Sequence, residues 1–107
     1  MDKLINLKES EMINFGWFRD TIIAFLNDPE CDGYAVLGGD VLRFNITNNK
    51  YEYTYDSWYV PKRLLSESFE NYCRRSQSVA KEYIESYPST KDVIFSPVIS
   101  TEVTAGL

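Results

Sequence analysis

Residues 41–59 read VLRFNITNNKYEYTYDSWY, and this stretch decides the fold. Large apolar side chains alternate with polar ones on both sides of Asn48-Asn49, and asparagine tolerates the positive φ of a tight turn. With a two-residue turn there, Thr47 faces Lys50, Ile46 faces Tyr51, Phe44 faces Tyr53 and Leu42 faces Tyr55. Asn45 with Glu52, Arg43 with Thr54 and Val41 with Asp56 fill the intervening positions. One face is then wholly apolar or aromatic and the other polar. A slip of one residue would destroy the match, so the pattern itself specifies the register.

Working outward, Tyr34-Ala35-Val36-Leu37 extends the first strand, with Gly38-Gly39 as a bulge or bend. Pro61 closes the second strand. Trp58 falls in phase with Glu52, Thr54 and Asp56, off the hairpin's apolar face unless a bulge restores the phase. It belongs either to a second core cluster or to an interface.

Two helices flank the hairpin. Phe15, Phe18, Ile22, Phe25 and Leu26 form one helical stripe, predicting a helix over 16–27 with Asn14 as N-cap. Pro29 ends it, and Glu30-Cys31-Asp32-Gly33 reads as a loop. Phe69, Tyr72, Cys73, Ser76, Ala80, Tyr83, Ile84 and Tyr87 form a longer stripe, predicting a helix over 67–87 with Ser66 as N-cap and Pro88 as its end. Glu70 and Arg74 make an i,i+4 pair on its outer side. Leu4, Ile5, Met12 and Ile13 suggest a short packed helix within 1–13. Val93-Ile94-Phe95 reads as a short last strand at a sheet edge, given Pro97. Residues 100–107 read as a frayed tail. The expected fold is α+β: one domain over 1–107, a small antiparallel sheet built on a central β-hairpin, and two amphipathic helices packed on one face.

The chain has 107 residues, enough for one core. It is 44% hydrophobic, which argues against disorder. No apolar run approaches the ~20 residues of a membrane span. The opening MDKLINLKESE lacks the apolar stretch of a signal peptide, favouring a cytoplasmic setting and free thiols at Cys31 and Cys73. Net charge is −5, and residues 1–60 carry all of it, since 61–107 hold six charges of each sign. Such a field repels nucleic acid, and the pairs Lys62-Arg63 and Arg74-Arg75 are too short to override it.

Histidine is absent, which removes the commonest general base and the commonest zinc ligand. Asp40 and Asp56 lie near each other at the open end of the hairpin, the one constellation that could hold a metal or do acid/base work. No third ligand stands at a fixed spacing, so neither a metal nor a cofactor is expected. Cys73 sits on the apolar helix face, whereas Cys31, beside Glu30 and Asp32, has neighbours that raise its pKa. Gly38-Gly39-Asp40 is a glycine bend rather than a phosphate loop, because it lacks the Lys and places a carboxylate where phosphate would lie.

The segments Val36-Leu37-Gly38-Gly39-Asp40-Val41 and Tyr55-Asp56-Ser57-Trp58-Tyr59, followed by Glu67-Ser68-Phe69-Glu70-Asn71-Tyr72 at the start of the long helix, resemble the immunity protein 40 family. These are small immunity proteins of bacterial polymorphic toxin systems, and the similarity covers roughly residues 15–87. The resemblance implies a chain that binds and neutralises a cognate toxin. Aromatic side chains beside acids suit a protein-binding surface. The expected toxin-binding residues are Asp40, Asp56, Trp58 and Tyr59, with Glu30 and Asp32 nearby. Two other classes remain: a non-catalytic adaptor or small-ligand-binding domain using the aromatic hairpin, and an enzyme using Asp40 and Asp56.

Overall fold

The computed structural model describes residues 4–9, 12–88 and 92–100. The elements run β1 (Leu4–Glu9), β2 (Met12–Phe18), α1 (Arg19–Leu26), β3 (Ala35–Asn45), β4 (Lys50–Tyr59), α2 (Phe69–Ser86) and β5 (Val93–Ser100), with a 3-10 turn at Pro29–Cys31. The strands form one antiparallel sheet in the order β1-β2-β5-β3-β4. The α+β class is therefore as expected.

The N-terminal part differs from the sequence reading. Residues 12–18, assigned in part to the first helix, are strand, and β1 replaces the short helix expected within 1–13. Helix α1 starts only at Arg19, so Asn14 does not cap it; Phe18 holds the N-cap position, with no side-chain cap bond. The cause is tertiary. Trp17 and Phe18 pair with Phe95 and Ile94 of β5, and this ladder outweighs the extra turns that a short helix would gain. Strand β5 also departs from expectation, because it is longer than Val93–Phe95 and lies inside the sheet between β2 and β3. Pro97 is tolerated there because it lies beyond the two residues at which β2 pairs with β5. Ser100 closes β5 and is buried, while the rest of the expected frayed tail, 101–107, lies outside the described residues.

The hairpin keeps its expected pairing at the open end and shifts near the turn. Gly38 pairs with Tyr59, Gly39 with Trp58 and Asp40 with Ser57, but Leu42 pairs with Tyr53, Phe44 with Tyr51 and Asn45 with Lys50. The expected pairs Phe44–Tyr53, Leu42–Tyr55 and Ile46–Tyr51 are thus displaced by two residues. Asn45 is the reason. Its Oδ1 accepts from the amides of Thr47 at 2.9 Å and Asn48 at 3.3 Å, an Asx-type turn that draws Ile46 and Thr47 into the loop. Glu52 completes it, accepting from the side-chain amides of Asn45 at 2.6 Å and Asn48 at 2.9 Å. These bonds also hold the Glu52 carboxyl below its ordinary pKa. Strand β4 absorbs the difference in a bulge: Thr54, Tyr55 and Asp56 stand opposite Val41 alone.

A shift by two preserves the faces. Leu42, Tyr51 and Tyr53 remain together, packed with Ile94 and Phe18. That cluster is the smaller one. The main core takes the opposite parity: Val36, Val41, Trp58, Val93 and Phe95 from the sheet join Ile22 of α1 and Tyr72, Cys73, Ala80 and Ile84 of α2.

Helix α2 follows its predicted stripe, with Tyr72, Cys73, Ser76, Ala80 and Ile84 buried. Ser68, rather than Ser66, is the N-cap, its Oγ accepting from the Asn71 amide at 3.1 Å. The buried hydroxyl of Ser76 accepts from the Val36 amide at 2.9 Å and donates to the Cys73 carbonyl. Gln77 donates to the carbonyls of Cys31 and Tyr34, so α2 is stitched to the start of β3. The Glu70–Arg74 pair forms at 2.6 Å.

Candidate functional site

Trp58 organises the open end of the hairpin from beneath. Its indole packs over Gly39, where any Cβ would run into the ring, and stacks on Tyr83 of α2 with ring centroids 5.2 Å apart. Ring contacts continue from Tyr83 to Tyr87 and from Tyr87 to Phe95. Only 7% of Trp58 is exposed. Of its two readings, the structure selects the core one, so Trp58 presents no surface of its own. Its Nε1 has no hydrogen-bond partner, an uncommon state for a buried donor.

Because the pleat alternates, the residues flanking Trp58 and Gly39 face the other way. Asp40 and its cross-strand partner Ser57 are exposed there, as are Tyr59 at 73% and Val98 at 51%. Asp40 keeps its expected cross-strand partner Ser57, the neighbour of Asp56. The bulge takes Asp56 to Tyr87, whose hydroxyl donates to Asp56 Oδ2 at 2.7 Å. That bond, followed by burial, raises the Tyr87 pKa. Among the described residues, no group of three or more His, Cys, Asp or Glu is placed to hold a metal ion.

The bulge contributes a residue that sequence reasoning placed elsewhere. A two-residue turn at Asn48-Asn49 puts Tyr55 on the apolar face opposite Leu42; it stands instead at φ 69°, and 94% of it is exposed. A bulky side chain at such a φ is an outlier, costing on the order of 1–2 kcal/mol. Its neighbours hold it there. Thr54 Oγ1 donates to the Val41 carbonyl at 2.9 Å and accepts from the Asp56 amide at 3.1 Å, while Asp56 is anchored to Tyr87. Nothing in the local sequence marks Tyr55, because the bulge compensates for a turn begun ten residues earlier at Asn45.

The acidic loop lies apart from this end. Asp32 is exposed on the turn before β3 and lines a shallow cleft of about 440 Å³ with Phe69, Cys73, Arg74 and Gln77. Those residues belong to the first half of α2, whereas Asp56 meets Tyr87 at its end. Between Gln77 and Tyr87 the helix rises about 15 Å, so Asp32 and Asp56 do not share a site. Glu30 precedes Cys31 on the same turn. Cys31 is buried, and that burial, with Asp32, Cys73 and Asp28 adding to it, pushes its thiol up to about 11.

No helix among the described residues is long and apolar enough to cross a membrane. No curated protein and no solved structure matches the chain. A family model does: the one described as immunity protein 40 matches residues 6–99, extending the motif similarity into both β1 and β5. With nearly the whole described sheet and both helices inside that match, the chain belongs to the immunity protein 40 family.

Proposed function

We propose that this chain binds and neutralises a cognate toxin of a bacterial polymorphic toxin system by protein–protein contact, in the cytoplasm of the cell it protects. The contact is made by the open end of the hairpin: Tyr55 on the bulge, Tyr59 and Asp40 on the outer sheet face, and Asp56 fixing the bulge between them. Trp58 serves as the buried support of this surface.

The observation that carries the reading is Tyr55. Tyr55 sits on the bulge that absorbs the Asn45 turn, at a positive φ fixed by three hydrogen bonds and with almost all of its side chain in water, and residues at such a φ cluster at functional sites. Tyrosines supply large, rigid contact area and are common binding anchors. The one-sided acidic field of residues 1–60, including Glu30 and Asp32, acts at longer range and speeds encounter with a basic partner.

The test is co-expression with the product of the neighbouring gene, capture of the complex, and kinetics on variants. Tyr55→Ala and Tyr59→Ala are expected to weaken binding by about 2 kcal/mol each, through faster dissociation. Replacing Asp32 by Lys should slow association, with less effect at high salt. If both tyrosine variants bind like wild type, the surface is wrongly placed.

A further inference from the structure

The segment between β4 and α2 is built with unusual care for a connection that ends in exposed leucines. Val60 is buried and its amide donates to the Leu37 carbonyl at 3.0 Å. Four residues later the chain makes a tight turn, Leu64-Leu65-Ser66-Glu67, closed by the Glu67 amide donating to the Leu64 carbonyl at 3.0 Å. Glu67 closes it a second time, its Oε1 accepting from the Leu64 amide at 3.1 Å. The same carboxylate receives both Nε and Nη2 of Arg75 at 2.8 Å, so the turn is locked to α2 by a two-point ion pair. Arg63 adds a further brace, donating from Nε to the Glu67 carbonyl at 3.0 Å while its guanidinium lies over the Phe69 ring.

At the tip of this braced turn, where Gly, Pro, Asn or Asp is the usual choice, stands Leu65, with relative exposure of 108%, beside Leu64 at 63%. Neither leucine belongs to the core clusters. A floppy loop would let them fold back onto apolar surface; the Glu67–Arg75 clamp prevents it.

We propose that Leu65, supported by Leu64, is an anchor that inserts into an apolar pocket of the cognate toxin, forming a second contact beyond the hairpin end. This rests on the toxin-binding reading above. Leu64 follows Tyr59 of the hairpin end by five residues, so the patch continues the surface already proposed for the toxin rather than founding a separate interface with a second copy of this chain. The two leucines offer at most a few hundred Å² between them, whereas a stable interface buries roughly 1,200–2,000 Å². A pre-organised apolar knob suits the role of one anchor within such an interface, because little ordering remains to be done on binding.

The experiment uses the full chain and the product of the neighbouring gene, with Leu65→Asp and Leu65→Met compared against wild type in melting, sedimentation and binding kinetics. Leu65→Asp is expected to leave the melting temperature unchanged and to raise the dissociation constant roughly thirty-fold. Leu65→Met should stay within about threefold of wild type, since it preserves apolar volume. Leu65→Asp binding as tightly as wild type overturns the anchor alone. A wild-type dimer that Leu65→Asp dissolves overturns it in favour of a second copy as occupant. Failure of the wild-type chain to bind the neighbouring product overturns the toxin-binding reading, and the anchor with it.

Discussion

Truncating Trp58 to alanine tests the assignment on which the site depends. An aromatic side chain of this kind buries roughly 150–250 Å², which at about 25 cal/mol per Å² is about 4–6 kcal/mol of transfer free energy. The stack on Tyr83 contributes about 1 kcal/mol more. Against this, the unpartnered Nε1 is a liability of about 1–3 kcal/mol that the truncation removes. The net expectation is a loss of about 4 kcal/mol, within the range measured for large-to-small core changes. For a domain of about 100 residues, that lowers the melting temperature by roughly 15 °C or more. Trp58→Phe supplies the control, since it keeps a ring over Gly39 and deletes the unpaired N–H; its loss should be less than half as large. Thermal melts followed by far-UV circular dichroism measure both. A fall of under about 4 °C for Trp58→Ala, accompanied by weaker toxin binding, would refute the core placement and return Trp58 to the surface.

Gly39→Ala should destabilise by about 1–3 kcal/mol because its methyl group meets the Trp58 ring, and the Gly39→Ala/Trp58→Phe pair should cost less than the two losses added, in a double-mutant cycle on urea midpoints. Cys31, with its thiol raised to about 11, should resist a disulfide reagent at pH 8 in the native chain and react once urea is added; rapid native modification would contradict its burial. The Arg75 hydrogen bonds hold the Glu67 carboxyl down at about 2. A depressed carboxyl stabilises the fold above its unfolded pKa and loses that contribution as pH falls through the folded value. Between about pH 4.5 and 2, wild type should therefore lose more stability than Glu67→Gln, and equal losses would remove the clamp from the account.

Helix α2 was legible because its stripe repeats over five turns without interruption, so that one wrong residue could not mislead. The hairpin was legible in parity: Leu42, Tyr51 and Tyr53 share a face whether the register is read at the turn or observed two residues away. What the sequence could not rank was the two faces. Val41 and Trp58 on one side are as apolar as Leu42 and Tyr53 on the other, and only the arrival of α2 on the Trp58 side decides which becomes the main core. The N-terminal segment failed for a related reason. Phe15, Phe18 and Ile22 satisfy helical spacing, yet Trp17 and Phe18 are claimed by partners in β5, about 77 residues away along the chain. Local pattern carries no information about such a distant pairing. The surface residues divided likewise. Tyr59 and Asp40 could be placed from the hairpin alone, whereas Tyr55 depended on a turn geometry set by Asn45, and Leu65 lay in a connection that no periodicity describes.

The position of β5 bears on how the molecule reaches this state. The strand that joins β2 to β3 is made after every other strand of the described sheet, so that sheet has no continuous form while residues 93–100 are still emerging from the ribosome. Until then the β1–β2 pair and the β3–β4 hairpin can form only as separate ribbons, each with an open edge and each marginal alone. Assembly is accordingly late and cooperative, dominated by contacts distant in sequence, in the slow range for a chain this small. During synthesis those waiting edges are the places where pairing with another chain competes, and the speed with which β5 docks sets how long they stay open.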